Sequence, residues 1–255
     1  MCRLLAYLGP ETSLESLILT PPFGLLRQSY EPRFQRRGRI NADGFGVGWY
    51  QPALRPEPAR YRRAVPLWSD RSFASFAGVV RSGAVLATVR NATPPSPTEE
   101  SSTGPFLDGP WLFAHNGEVE AFARGARERL IAEVSPARSR GIEGTADSEV
   151  LFALALDRLD AGADPAEALA GVVSAVLRLA GGRLNMVLTD GTTVAATACG
   201  DSLYLRERPD PETRSPSVIV ASEPFDDEAD WVAVADGSLV RAVAGIPAET
   251  AVMAS

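Results

Sequence analysis

The hydrophobic pattern of the chain changes its period twice, and this order restricts the folds that the chain can adopt. Strand-like segments dominate residues 1–120, two amphipathic helices follow over 145–159 and 164–179, and strand-like segments return from 183 onward. Parallel strands need a crossover connection, usually a helix, whereas antiparallel strands can follow one another directly. The sequence therefore predicts a sheet-rich α+β fold, formed as one domain over residues 1–255.

Individual strands are predicted from apolar runs bounded by turn residues. They cover 1–7, 41–50, 83–90, 111–117, 183–189, 192–198, 202–206, 218–221, 231–233, 239–243 and 251–253. The three strands between 183 and 206 are expected to be consecutive antiparallel neighbours joined by short turns. The last three strands are expected at sheet edges, and residues 51–66 are expected to form a loop or an exposed hairpin.

Helices are predicted from apolar spacing together with capping residues. A short helix is expected over 11–19, and another helical segment over 121–133. Ser69 is the predicted N-cap of a helix that runs to about Gly78, and Thr145 is the predicted N-cap of the first long helix. Asp164 followed by Pro165 predicts the start of the second long helix, because proline suits the first helical position.

Glycines alternate with large apolar residues between Asn41 and Tyr50. Such a strand presents one face without side chains, which predicts that another group approaches its backbone closely. No helix pattern follows these glycines, and Pro52 interrupts the chain instead. This segment is therefore not a dinucleotide-binding loop.

The composition excludes several classes of function. A net charge of −7 disfavours nucleic acid as a partner, and the absence of a long apolar run disfavours a membrane. Two cysteines and one histidine provide neither a disulfide framework nor a typical catalytic zinc site, and the absence of lysine excludes Schiff-base chemistry. We expect a cytoplasmic protein that needs no cofactor or metal and acts on a small molecule; the sequence leaves its oligomeric state open.

Cys2 is the first candidate for chemistry. If Met1 is removed, Cys2 carries a thiol and a free α-amine, whose ordinary pKa of about 7.7–8.0 lets it accept the thiol proton near neutral pH. The alternative is a small apolar residue that opens a buried strand.

Three further polar features follow predicted elements. Arg90 and Thr93 stand at a strand end, Asn116 and Gly117 follow another strand, and Asp147 stands at a helix start. Each has an ordinary structural explanation, such as a solvated strand end for Arg90 or a first-turn acid for Asp147. Together with Cys2 they supply what is needed to bind and cleave a glutamine-like amide.

Several segments occur in an order that is characteristic of one family. They are 41–50, 72–75, 89–93, 115–117, 145–148, 183–185 with 188–191, and 221–227. In this order they resemble the N-terminal-nucleophile (Ntn) class II glutamine amidotransferases, over essentially the whole chain. The resemblance implies a four-layer αββα fold with mostly antiparallel sheets and a nucleophilic cysteine exposed by removal of the initiator methionine.

The resemblance also implies catalytic roles. Cys2 would be the nucleophile with its own α-amine as the base, and Asn116 with Gly117 would form the oxyanion hole. A dyad of Cys2 with His115 is the less favoured alternative. Cys199 is expected to be structural.

Substrate-binding roles follow in the same way. Arg90, assisted by Thr93, would bind the α-carboxylate of a γ-glutamyl group, and Asp147 would bind its α-ammonium. The sequence departs from many family members at Asn91 and Pro94, where tryptophan and histidine are common. The family's lid and its coupling to an ammonia channel are therefore not carried over to this chain. The loop from 94 to 105 is long enough to be either a mobile loop or a lid.

The closer resemblance is to stand-alone amidohydrolases that act in ergothioneine synthesis. It implies cleavage of the γ-glutamyl amide of γ-glutamyl-hercynylcysteine sulfoxide through a Cys thioester. The alternatives are hydrolysis of glutamine or another γ-glutamyl amide, including ammonia supply to a separate synthase, and an inactive binding homologue. Candidates for binding the trimethylammonium of the leaving group are Trp49, Tyr50, Phe225, Asp226 and Trp231. The segment 223–226 has no predicted role.

Overall fold

The computed structural model describes residues 2–92, 98–209 and 216–253. Its strands are β1 (Arg3–Ser13), β2 (Gly44–Trp49), β3 (Ala59–Arg63), β4 (Arg81–Arg90), β5 (Phe106–Asp108), β6 (Trp111–Val119), β7 (Gly182–Thr189), β8 (Thr193–Ala198), β9 (Tyr204–Pro209), β10 (Pro216–Ala221), β11 (Trp231–Ala233), β12 (Ser238–Val243) and β13 (Ile246–Val252). Its α-helices are α1 (Leu14–Ile18), α2 (Leu25–Gln28), α3 (Arg71–Ala77), α4 (Ala126–Ile131), α5 (Pro136–Ser139), α6 (Asp147–Asp160) and α7 (Pro165–Leu179).

The strands form two sheets in which all described neighbours are antiparallel. Sheet A has the order β11-β9-β10-β1-β4-β2-β3, and sheet B has the order β13-β12-β8-β7-β6-β5. Three apolar cores separate four layers: α1 to α3 pack on the outer face of sheet A, the sheets pack on each other, and α4, α6 and α7 pack on the outer face of sheet B. The predicted αββα fold is confirmed.

Helix boundaries confirm one cap and correct two. Asp164 accepts hydrogen bonds from the backbone of α7, and Glu167 completes a capping box, as the Asp-Pro start predicts. The prediction for Ser69 is wrong, since the carboxylate of Asp70 reaches the backbone N–H of Phe73 and caps α3 instead.

The prediction for Thr145 is also wrong. Ala146 is the N-cap residue of α6, and no side chain caps this helix. The first-turn residue Asp147 instead accepts hydrogen bonds from the backbone of Val119 and Ser148. This carboxylate therefore links the start of α6 to the end of β6.

The strand pairing differs from the prediction after β8. β7 and β8 form a hairpin, but β9 lies in sheet A, where it pairs with β10 and β11. The connection over 199–203 crosses between the sheets, because Asn185 of sheet B binds the backbone of Asp201 and Ser202 and holds it there. β12 is an interior strand of sheet B and not an edge strand.

The first predicted helix is shorter than expected, because β1 continues to Ser13 and leaves only Leu14–Ile18 for α1. Residues 51–66 were predicted to form either a loop or an exposed hairpin. β3 lies within this range and pairs with β2, which confirms the hairpin. None of the helices in the described ranges combines the length and apolar character needed to cross a bilayer.

The bare face of β2 is covered as the glycine alternation predicts. A Cβ atom built on Gly46 would lie 2.2 Å from the carbonyl oxygen of Gly104, and one on Gly48 would lie 2.5 Å from Leu112 Cδ1. The loop that precedes β5 and the side chain from sheet B thus occupy the space that side chains on β2 would take.

Gly46→Ala is expected to destabilise the protein by about 2 kcal/mol, because the new methyl group must displace backbone. Chemical denaturation measures this change in the free energy of unfolding. Gly141→Ala is the matched control, since its Cβ would meet nothing closer than 3.4 Å. Equal stability of the two variants would contradict the close approach at β2.

Candidate active site

Cys2 directly precedes β1, a central strand of sheet A. Arg3 pairs with Val89 and Leu4 with Thr88, so the same register places Cys2 opposite Arg90 of β4. Leu4 and Ala6 face the space between the sheets, and strand alternation directs Cys2 to that side too. The thiol is free and the residue is partly exposed. Cys2 is therefore not a fully buried strand residue.

Arg90 ends β4 and is only 6% exposed. Alternation with Leu86 and Thr88 directs its side chain between the sheets, toward the same side as Cys2. Its carbonyl oxygen accepts from the N–H of Asp43, whose carboxylate accepts from the N–H of Ala92. The alternative of a solvated strand end is therefore wrong. Thr93 and residues 94–97 of the following loop lie outside the described residues.

Asn116 lies on β6 of sheet B, fully buried, and faces sheet A. Its Nδ2 donates to Ser222 Oγ at 3.4 Å, and the same oxygen accepts from the N–H of Leu4 at 3.0 Å. Ser222 is itself fully buried and follows β10. One hydroxyl thus connects the strand that carries Cys2 with the asparagine of the opposite sheet.

Gly117 occupies a position on β6 that tolerates no side chain. A Cβ atom there would lie 1.8 Å from the carbonyl oxygen of Arg183. The glycine lets β6 and β7 approach closely next to Asn116, which stands opposite Asn185.

His115 points to the other face of sheet B. Its Nε2 donates to the carbonyl oxygen of Arg183 at 2.9 Å, and its Nδ1 lies 3.1 Å from Ser148 Oγ. Phe113, two residues earlier, packs in the core between sheet B and its helices. The ring is therefore directed away from the space into which Cys2 projects, which disfavours a Cys–His dyad.

Asp147 lies at the junction of β6 and α6. Its Oδ2 accepts from Val119 N–H at 2.9 Å, its Oδ1 accepts from Ser148 N–H at 2.7 Å, and His115 Nδ1 lies 3.8 Å from Oδ1. The side chain is 21% exposed. The carboxylate is therefore held in place and still reaches solvent, near the strand end that carries Asn116.

Two buried charged residues, Arg3 and Glu223, were not predicted from the sequence, and within the described residues the three guanidinium nitrogens of Arg3 have no hydrogen-bond partner. Both are fully buried, and the Arg3 side chain lies on the face of β1 opposite to Cys2. Burial lowers the pKa of the Arg3 guanidinium, and the nearby carboxylates of Glu223 and Asp201 oppose that shift. Glu223 also accepts from the N–H groups of Arg33 and Phe34.

This arrangement gives Glu223 a structural role. Its carboxylate joins the segment after β10 to the loop before β2. The Ser-Glu-Pro-Phe sequence was the available signal for a buried acid at Glu223. Its surroundings were not predictable from the sequence, because only the fold brings Arg3 and the backbone of residues 33–34 close to this carboxylate. Burial also raises the pKa of the Cys199 thiol, which favours its protonated form and fits a structural cysteine.

The aromatic candidates for binding a trimethylammonium are already engaged. The Arg206 guanidinium carbon lies 5.3 Å from the Phe225 ring centroid and 5.2 Å from that of Trp231, and Arg206 pairs with Asp226 at 2.7 Å. Tyr50 is buried with its hydroxyl near the carbonyl oxygens of Pro110 and Thr189, and Trp49 packs against the outer core of sheet A. Within the described ranges, no three His, Cys, Asp or Glu side chains are placed to hold a metal ion.

Comparison with known proteins identifies the family. The sequence profile of the class II glutamine amidotransferases matches residues 28–255. The γ-glutamyl-hercynylcysteine sulfoxide hydrolase of Mycolicibacterium smegmatis is 42% identical over 241 residues, which cover 94% of this chain and 95% of that protein. The protein of the same name from Mycobacterium tuberculosis is 39% identical over 247 residues, with 94% and 92% covered.

A solved structure shows the same architecture. The glutamine aminotransferase class-II domain protein from Silicibacter pomeroyi superposes with a TM-score of 0.70 at 27% identity, and both chains are covered completely. Sequence and fold thus agree over the length of the chain, which belongs to the class II glutamine amidotransferase family.

Proposed function

We propose that this protein is an amidohydrolase that cleaves the γ-glutamyl amide of γ-glutamyl-hercynylcysteine sulfoxide to glutamate and hercynylcysteine sulfoxide. The observation that carries this proposal is the 39–42% identity, over 94% of the chain, to hydrolases named for that substrate. The register that places Cys2 opposite Arg90, and the Ser222 hydroxyl that links Leu4 to Asn116, support it. We also propose that residues 1–255 act as a single domain.

The proposed nucleophile is Cys2 after removal of Met1. Its α-amine takes the thiol proton, the sulfur attacks the γ-carbonyl carbon, and the protonated amine then donates to the departing nitrogen. Water hydrolyses the resulting thioester and releases glutamate. The thiol and base share one residue, so the site needs no histidine; this agrees with the direction of His115.

Asn116 and Gly117 are proposed to stabilise the tetrahedral intermediate. The Asn116 amide has two N–H bonds, and Ser222 Oγ occupies one of them. The other remains to donate to the oxyanion, together with the backbone N–H of Gly117. Ser222 is then a positioning residue, since it fixes the plane of the Asn116 amide relative to β1.

Arg90 and Asp147 are proposed to bind the two charges of the γ-glutamyl group. A planar guanidinium suits the α-carboxylate, and the partly exposed Asp147 carboxylate suits the α-ammonium. Thr93 is proposed to add a hydroxyl to the carboxylate site. Arg90 ends β4 of sheet A and Asp147 starts α6 next to the end of β6, so the γ-glutamyl group would reach from one element to the other.

We further propose a cytoplasmic location. Both cysteines are free, which is typical of a reducing compartment. The proposed partner is a small molecule and not a nucleic acid, because the chain is acidic.

The substrate is tested by comparing glutamate release from γ-glutamyl-hercynylcysteine sulfoxide and from glutamine at equal concentration. We expect a clear preference for the former in kcat/KM. The family name and the Silicibacter relative support glutamine hydrolysis as the second candidate. A preference for glutamine would therefore contradict hydrolysis of γ-glutamyl-hercynylcysteine sulfoxide as the main activity and favour glutamine hydrolysis.

The nucleophile is tested in the same assay with Cys2→Ala, for which activity is expected to fall to background. Cys199→Ala is the matched control and is expected to retain activity. Intact mass of the active protein should lack the initiator methionine. Full activity of a chain that retains Met1 would contradict an N-terminal amine base.

Arg90→Lys and Asp147→Asn are expected to raise KM for both substrates by roughly tenfold to hundredfold, because charge-assisted hydrogen bonds contribute about 1.5–3 kcal/mol. Steady-state kinetics measures the change. Arg81→Lys is the control, since Arg81 stands exposed at the other end of β4. An unchanged KM in both test variants would remove these residues from the substrate site.

Ser222→Ala is expected to lower kcat about tenfold with little change in KM, because the Asn116 amide loses its anchor. It should also lower the free energy of unfolding by about 1–3 kcal/mol, since two buried N–H donors lose their acceptor. Ser16→Ala removes an exposed hydroxyl and serves as the control. A rise in KM with unchanged kcat would contradict a positioning role.

A further inference from the structure

The proposed substrate has a second charged end that the residues above do not bind. Hercynine is a betaine: its α-carbon carries a trimethylammonium and a carboxylate, joined through the imidazole to the cysteine sulfur. We propose, on the basis of the function proposed above, that the pocket between residues 200–204 and 233–236 binds this betaine, with Asp236 facing the cation and Arg36 the carboxylate.

The order of strands in sheet A gives the direction of the leaving group. β1 lies between β4 and β10, and β9 is the next strand beyond β10. Arg90 of β4 takes the γ-glutamyl side, so the amide nitrogen and everything attached to it extend toward β10 and β9. Neighbouring strands lie about 4.8 Å apart, which places β9 roughly 10 Å from β1.

That distance agrees with the length of the leaving group. A cysteine side chain, a sulfoxide and an imidazole together separate the scissile nitrogen from the betaine carbon by a comparable span. The pocket also lies at the correct edge of the sheets. Ser202 at its wall donates to the carbonyl oxygen of Ser222, the residue that contacts Leu4 and Asn116.

The pocket has a volume of about 210 Å³. Its walls include Arg36, Asp201, Ser202, Tyr204, Val234 and Asp236. The Asp201 carboxylate is engaged by the Arg183 guanidinium at 3.2 Å. Asp236 accepts from the N–H of Gly200 through Oδ1 and stays exposed.

Arg36 is exposed as well, and no residue that the structure describes forms an ion pair with it. The walls therefore offer one unpaired cation and one unpaired anion, which is the charge pattern of a betaine. A trimethylammonium cannot donate hydrogen bonds, so it is attracted by a nearby carboxylate and by aromatic faces. Tyr204 forms part of the wall, and its ring packs against Phe34 with 5.7 Å between centroids.

The other aromatic cluster of this region is a weaker candidate. Phe225 and Trp231 already lie against the Arg206 guanidinium, which occupies the position that a ligand cation would take. Within the described residues, the pocket beside Asp236 therefore combines the open space and the unpaired charges that the betaine needs.

The test uses Asp236→Asn and Arg36→Gln in the full chain. We expect each variant to lower kcat/KM for γ-glutamyl-hercynylcysteine sulfoxide about tenfold relative to kcat/KM for glutamine. Glutamine has no betaine, so its hydrolysis should not depend on contacts in this pocket. The side-chain amide oxygen of the Asp236→Asn variant can still accept from Gly200 N–H, so the loop should keep its conformation. Glu128→Gln, in α4, and Arg124→Gln, just before α4, are the controls. Each removes an exposed charge and should leave the ratio of the two kcat/KM values unchanged.

Binding of hercynine itself to the Cys2→Ala protein gives a second readout that does not depend on turnover. Calorimetry should show binding that Asp236→Asn weakens about tenfold. If the wild-type protein prefers γ-glutamyl-hercynylcysteine sulfoxide but neither variant changes the ratio, the pocket is excluded and the proposed function stands. If the wild-type protein has no such preference, both proposals fail.

Discussion

One buried hydroxyl joins the two sheets at the place where the chemistry is proposed. Ser222 Oγ accepts from the backbone of Leu4 in sheet A and from the Asn116 amide in sheet B. Packing of apolar side chains holds the sheets together but is not directional, so it cannot fix a nucleophile relative to an oxyanion donor. A hydrogen bond between buried groups is directional, and this one lies two residues from Cys2.

A buried charge lies on the opposite face of β1. Arg3 and Glu223 are both fully buried, and the Glu223 carboxylate opposes the fall in the Arg3 pKa that burial causes. Glu223 also accepts from the backbone of Arg33 and Phe34, so the loop before β2 is tied to the segment after β10. The start of β1 thus has the Ser222 hydroxyl on its backbone and a buried guanidinium, near the Glu223 carboxylate, on the face opposite Cys2.

The sequence predicted the long helices and most strands, and it named the candidate residues that are proposed for the site. Apolar periodicity predicts α6 and α7, and the glycine alternation predicts the close approach at β2, because both depend on neighbours in the chain. Whether β9 would pair with β8 or cross to sheet A depends on Asn185, whose side chain holds the crossing segment from the other sheet. The structural roles of Ser222 and Arg3 were not predicted for the same reason, because the residues near them are far away in the sequence.

The order of strands also gives the proposed site a direction. Arg90 lies on one side of β1, and the pocket beside Asp236 lies beyond β10 on the other, so a linear substrate would cross β1 at Cys2. The γ-glutamyl group and the leaving group would then bind on opposite sides of β1 and could be recognised independently. Changes at Arg36 and Asp236 would therefore alter the leaving group that is accepted while Cys2, Asn116 and Arg90 keep their positions, because within the described residues neither side chain bonds to β1, β4 or β6. Ser202 is different, since it donates to Ser222.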